Sequence, residues 1–270
     1  MTALQKIKLQ LKVALGTMPP ALQPATRAML WLGSRIGAVK QEKYLYAKLG
    51  FPPTVHMGPF QGMRYLPVNC GSALLPKIAG TYEMELHPVM ERLKGEGIDL
   101  VLDVGSAEGY YAIGFTRLLN PQSTHCFDID AAAHPTMWRL AELNGVKDKI
   151  ITHGWCDAQS FERLLAPARK PLVMMDCEGG EYDLLDPVKA PVLRRALILV
   201  ETHGWKNKLG PTVLEDRFSA SHQITRVNMR PRNPGDCPYQ NHALTERERM
   251  AVVDEIRPFE YWLLLEPKAV

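Results

Sequence analysis

The chain has 270 residues, 46% hydrophobic and 23% charged, with a net charge of +3. That balance fits one α/β domain with room for an additional segment and excludes a disordered or low-complexity chain. No apolar run reaches the ~18 residues needed to span a bilayer. The five cysteines, Cys70, Cys126, Cys156, Cys177 and Cys237, form no CxxC pair for zinc or redox work.

Charge is uneven along the chain. Residues 1–50 carry eight Lys/Arg against one acid, Glu42, an asymmetry that suits an anionic partner. Leu4, Ile7, Leu11 and Leu15 repeat at helical spacing beside Lys6, Lys8 and Lys12. Such a helix either packs on its own protein or lies on a membrane surface, so peripheral membrane contact through residues 1–40 stays open. The lysines interrupt any secretory leader, and the reduced cysteines fit a cytoplasmic protein. A second helix is expected over the stretch AMLWLGSRIGAV, two short strands over 54–66, and a helix from Tyr82 to Lys94 capped by Thr81. Residues 1–95 read as a basic, mainly helical extension and residues 96–270 as the main domain.

From residue 99 the pattern becomes regular. Apolar runs at 100–104, 124–128, 149–153, 171–176 and 196–201 alternate with helical stretches near 109–119, 132–144, 158–166 and 180–195. HQITRVNM and FEYWLLLE add two later strands, with a polar helix near 244–256 between them. Strand alternating with helix predicts a Rossmann-like, doubly wound, mostly parallel seven-stranded sheet.

The first run ends in DVGSAEGYY, residues 103–111. A strand, a glycine loop and a helix form a nucleotide-binding turn, yet Asp103 and Glu108 flank the loop. A carboxylate about 4 Å from a phosphate costs roughly 4 kcal/mol at an effective dielectric near 20, which favours a phosphate-free ligand. S-adenosylmethionine carries a sulfonium and an ammonium and no phosphate. Asp103 suits the ammonium, and Gly105, Ser106, Ala107 and Gly109 the close approach of the methionine portion. Asp128 at the second strand end, with Ile129 beside it, suits the ribose diol. Asp157 suits the adenine amino group. Each alone is a common turn or cap residue; the order along successive strand ends carries the reading.

These residues resemble class I S-adenosylmethionine-dependent methyltransferases, and more narrowly the FkbM-type family. DVGSAEGYY looks like that family's first motif, LNGV at 143–146 is similar to its Asn-containing helix end, and MMDCEGGEYDLL at 174–185 is similar to its Asp-x-Glu-Gly-x-Glu signature. ILVETH at 198–203 resembles the strand that follows. The resemblance covers roughly residues 80–205. The chain departs from the family at Ser106-Ala107-Glu108, often Ala-Asn-Ile there, and at Asp128-Ile129-Asp130, commonly Glu-Pro. The resemblance implies O-methylation, commonly of sugars or hydroxylated natural products.

An alcohol acceptor with a pKa near 16 costs roughly 12 kcal/mol to ionise at pH 7, so a positioned base is expected. His203 after the fifth strand is the leading candidate, with Asp176 and Glu178 as alternatives. Glu181 and Asp183 suit the dipole of a helix start; four acids in eight residues also suit magnesium, but no octahedral ligand set is separable and no metal is expected. Tyr82 and Glu83 are candidates to cover the donor. The Asp/Asn-Pro-Pro-Tyr tetrapeptide of base-amine methylation is absent, so a small-molecule or glycan acceptor is expected over nucleic acid. Arg226, Arg230 and Arg232 offer a place for an anionic acceptor. The rival readings are a protein or RNA methyltransferase and a non-catalytic donor-binding module.

Overall fold

The structure is a computed structural model that describes residues 40–50, 53–68, 72–204, 210–240, 242–255 and 261–268. Both helices expected before residue 39, and Cys70, lie outside these. The chain forms two compact units, residues 1–50 and 51–270. The described part of the first is a helix over 40–49.

The second unit is built on seven strands: β1 Leu100–Val104, β2 Ser123–Phe127, β3 Ile150–His153, β4 Pro171–Met175, β5 Leu197–Thr202, β6 His222–Asn228 and β7 Tyr261–Pro267. Their order is β3-β2-β1-β4-β5-β7-β6. The first five run parallel, and β7 runs antiparallel to both β5 and β6. Every residue of β1, β4 and β5 is buried, as expected of strands covered on both faces. The register pairs Val104 with Met175 and Val104 with Phe127, bringing the ends of β1, β2 and β4 level. Strand order reverses between β1 and β4, and the crevice above that point is where doubly wound sheets take ligands.

The eight helices among the described residues of this unit are α1 Leu74–Ala79, α2 His87–Leu93, α3 Tyr110–Leu119, α4 His134–Leu143, α5 Ala158–Leu165, α6 Glu181–Leu184, α7 Gly210–Phe218 and α8 Glu246–Val253. Three differ from expectation. The helix expected from Tyr82 begins as a 3-10 turn, Met84–Leu86, before α2; Thr81 does not cap it but donates to the Pro76 carbonyl at 3.5 Å, closing α1. The helix expected over 180–195 stops after one turn. The Asp186 carboxylate takes the Val188 N–H at 2.9 Å, and Pro187 and Pro191 cannot supply helical N–H groups. Helix α7 has no counterpart in the sequence reading, its start being marked by Gly210-Pro211.

The two strands expected over 54–66 reduce to one antiparallel bridge, Thr54 with Arg64. This turn packs on the domain. Asn144 accepts from the Arg64 N–H at 2.9 Å and donates to its carbonyl at 2.7 Å. The Phe60 ring lies edge-on to Tyr110 and Phe115 and fills the space a side chain would need at Gly114, where a Cβ would meet Phe60 Cε2 at 2.5 Å. The described residues among 53–95, grouped with the extension in the sequence reading, fall in the second compact unit.

Candidate functional site

The glycine loop after β1 is fixed at its base by Phe127, whose carbonyl accepts from Gly105 N–H at 2.9 Å and Ser106 N–H at 3.1 Å. Gly105 is in the left-handed region (φ +87°), and a Cβ there would lie 1.7 Å from the Asp176 carbonyl oxygen. Its bareness therefore lets the loop close on the end of β4. At Gly109 the Cβ direction is occupied by Met137. At both glycines an added side chain would meet the protein itself; the sequence reading had them make room for a ligand.

Asp103 is 2% exposed, and its Oδ2 has no hydrogen-bond partner. Burial pushes its carboxyl up to about 8, with the nearby Asp176 and Asp128 carboxylates adding to the shift. Asp128 is half-buried at the end of β2. It accepts from the Ala107 N–H at 2.7 Å and the Asp130 N–H at 2.8 Å, bracing the loop while an ionised carboxylate keeps further acceptor capacity. Ala107, a non-glycine residue at φ +45°, is strained in that loop. Ile129 is 81% exposed beside it. Asp157 caps α5: its Oδ1 accepts from the Ser160 N–H and hydroxyl, both at 2.8 Å.

Glu108 does not face the crevice as a free charge. It is buried in an ion pair with Lys77 and accepts from the Tyr65 hydroxyl at 2.6 Å. Lys77 in turn sits 5.2 Å from the Tyr82 ring centroid and 5.3 Å from that of Tyr110. Of the two acids flanking the loop, only Asp103 has a buried oxygen with no hydrogen-bond partner. Tyr82 and Glu83 are both buried.

The ends of β4 and β5 carry a second acidic group. His203, 5% exposed, donates from Nδ1 to Glu181 Oε1 at 3.0 Å. Its Nε2 lies 3.6 Å from Asp176, 3.8 Å from Glu178 and 3.5 Å from Glu201. Burial opposes charge on His203, but the Glu181 bond and the carboxylates of Glu181, Asp176 and Glu178 outweigh it and raise its proton affinity. Burial raises the Asp176 carboxyl too, although His203 and a bond with Glu201 pull the other way. Burial likewise works against the Glu181 charge, yet His203 and the Cys177 N–H hold its carboxyl below the usual range. Glu178 projects outward from a strained left-handed backbone, φ +58°. The structure thus brings together Asp176, Glu178 and His203, and adds Glu181 and Glu201. Glu181 was expected to favour a helix dipole or, with the other acids near it, to suit magnesium; Asp183 stays exposed.

The three arginines offered for an anionic acceptor are engaged by acids. Arg226 makes a two-pronged pair with Glu215 at 2.6 and 2.7 Å, Arg230 meets Asp236 at 2.7 Å, and the buried Arg232 joins Glu255 and Glu85. The last pair lies far along the chain, so composition near the arginines gave no sign of it. Among the described residues no helix is long and apolar enough to cross a membrane.

The acids described above stand at the carboxyl ends of the parallel strands of a Rossmann-like, doubly wound sheet with a reversed β7. No family model matches the sequence, and no curated protein matches it. Similar solved structures include TomG of Streptomyces achromogenes, an O-methyltransferase of tomaymycin synthesis in complex with S-adenosylmethionine (15% identity, 74% of this chain and 83% of that one, TM-score 0.46). Others are a ribosomal protein L11 methylase from Lactobacillus delbrueckii subsp. bulgaricus (16%, 77% and 86%, 0.46) and the Bacillus subtilis tRNA methyltransferase TrmK (9%, 66% and 63%, 0.43).

Proposed function

We propose that this chain is an S-adenosylmethionine-dependent methyltransferase, directed to a hydroxyl on a small, sugar-like acceptor in the manner of the FkbM-type enzymes. The observation that carries the reading is Asp103, a buried carboxylate with an unpartnered oxygen at the switch point of the sheet. The Ala112 N–H meets this carboxyl, yet burial still raises its proton affinity, and a cationic ligand group offsets that cost. The donor's ammonium is such a group, whereas a pyrophosphate would add repulsion.

Asp103 holds the ammonium. Asp128 accepts from the ribose hydroxyls while bracing Ala107, Ile129 offers an apolar face to the adenine, and Asp157, while capping α5, accepts from the adenine amino group. Bound S-adenosylmethionine supplies a methyl whose bond to sulfur breaks, its electron pair staying on sulfur, as the acceptor's oxygen–carbon bond forms. The acceptor's single proton passes to one carboxylate of the pair Asp176 and Glu178. His203, with both ring nitrogens turned to carboxylates, positions Asp176. The same carboxylates repel a polyanion, at roughly 4 kcal/mol for each close charge pair, which favours an uncharged hydroxyl acceptor over nucleic acid.

Calorimetric titration of the full chain with S-adenosylmethionine and S-adenosylhomocysteine tests the donor site; binding of both is expected, and binding of neither overturns the reading. Methyl transfer to pooled glycosides but not to tRNA, with the product methyl located on oxygen by NMR, is the expected outcome for the acceptor. Transfer to tRNA or protein alone overturns that part.

A further inference from the structure

We propose that a cavity at the amino edge of the sheet, walled by Phe60, Lys94 and Arg117, binds a small organic anion: a phosphate or carboxylate carried on an apolar body. The cavity measures about 460 Å³, within the roughly 300–1,000 Å³ of small-molecule sites. It stands apart from the acids at the carboxyl edge. Lys94 lies between α2 and β1, Arg117 and Asn120 lie at the end of α3 ahead of β2, and Val146 lies ahead of β3. At 1.5 Å per residue, α3 sets Arg117 about 12 Å from the glycine loop at its other end.

Charge points to the ligand class. The lining holds two cations and no carboxylate. Lys94 meets Glu91 in an exposed pair, a kind worth little in water. Arg117 has no acid partner among the described residues. It is exposed, yet loss of surrounding water lowers its proton affinity with no charge to offset that loss. Elsewhere the chain engages its guanidinium groups: Arg226, Arg230 and Arg232 meet acids, and Arg195 and Arg217 close on main-chain carbonyls. A basic residue in the last turn of a helix favours its dipole, which accounts for the charge of Arg117 but not for the cavity it lines.

The guanidinium is also placed. Its Nη2 lies 3.7 Å from where a Gly62 Cβ would stand, so it rests beside the turn at residues 58–62. From there it offers two parallel N–H donors, the fork that suits a phosphate or carboxylate. Asn120 Oδ1 takes the Lys149 ammonium, which leaves the amide NH₂ to donate to an anion oxygen. Phe60, Leu118 and Val146 give the cavity an apolar wall, so an anion with an apolar body fills it better than a bare ion does.

The test is calorimetric titration of the full chain with phenyl phosphate, with benzyl alcohol and inorganic phosphate as comparison compounds, each with and without saturating S-adenosylhomocysteine. One phenyl phosphate per chain is expected, bound at least tenfold more tightly than either comparison compound, weakened by salt and unaffected by S-adenosylhomocysteine. Arg117→Gln should weaken it at least tenfold, the worth of a charge-assisted hydrogen bond, and Lys94→Gln by less, with both variants melting as the parent does. No binding at millimolar phenyl phosphate, equal binding by the folded Arg117→Gln chain, equal binding of either comparison compound, or displacement by S-adenosylhomocysteine overturns the site. Because phenyl phosphate is titrated without donor, this site and the methyltransferase reading can each fail alone.

Discussion

Replacing Asp103 by Asn should make the protein more stable and its donor site worse. In the folded chain burial lifts the Asp103 carboxyl to about 8 from an ordinary 3.8. An acid whose folded pKa is raised keeps its proton longer in the folded state, so its contribution to stability falls as pH rises from about 4 and levels off above about 8. At pH 7 the shift corresponds to on the order of 4 kcal/mol held against folding. Asn removes that titration at nearly constant volume. The expected gain at pH 7 is up to about that amount, or on the order of 10 °C in melting temperature for a chain of this size. It should shrink toward zero at pH 4.

Donor binding responds in the opposite sense. A ligand ammonium needs the ionised carboxylate, and with a pKa near 8 ionising it at pH 7 costs about 1.4 kcal/mol. Between pH 5.5 and 7, where an α-amino group with pKa near 8 stays protonated, affinity should rise about tenfold per pH unit, with close to one proton released per donor bound. Calorimetry in buffers of different ionisation enthalpy counts that proton. The Asn variant should bind donor about 1.5–3 kcal/mol more weakly, the worth of a charge-assisted bond, and without the pH slope. A variant that is no more stable, with the slope intact, would refute the assignment of the buried charge to Asp103.

Two further substitutions separate framework from site. Glu108→Gln strands the buried Lys77 ammonium and should cost about 3–5 kcal/mol in chemical denaturation, while the folded fraction keeps its donor affinity; a large affinity loss would return Glu108 to the ligand. Gly114→Ala gains up to about 1 kcal/mol in helix propensity, but its Cβ meets the Phe60 ring at 2.5 Å. A net loss of about 1–2 kcal/mol is expected, and Phe60→Ala in the same chain should relieve the clash, as a double-mutant cycle would read.

Much of the sheet is legible in the sequence because β1, β4 and β5 are buried on both faces and so appear as unbroken apolar runs. The acids at strand ends are legible as positions, and their roles less so. Asp157 looks the same in sequence whether or not it caps a helix, and only the Ser160 bonds show that it does. Glu108 stands beside the loop in sequence, yet its partner Lys77 lies 31 positions earlier, in a helix too short to show a period. Arg232 meets Glu85 across 147 positions. Glu181 sits where a helix-dipole acid belongs, and its burial against His203 depends on the register of β4 and β5. Side-chain partners across the fold depend on packing, which residue pattern does not encode locally.

The contrast between these acids bears on function. Where the protein uses buried charge as framework, it completes the pair: Lys77 answers Glu108, and Arg232 answers Glu85 and Glu255. At the carboxyl edge it does so for one of two acids. Glu181 is held below the usual carboxylate range by His203 and the Cys177 N–H. Asp103 is not so answered: its Oδ2 is buried without a hydrogen-bond partner, and burial raises its carboxyl to about 8. An acid whose proton affinity rises on folding lowers stability at neutral pH, and the same fold shows that a basic partner can be supplied. The missing positive charge is therefore expected from outside the chain, as an ammonium on the β1 side. Donor added alone should raise the melting temperature, and the gain should be absent from the Asp103→Asn variant.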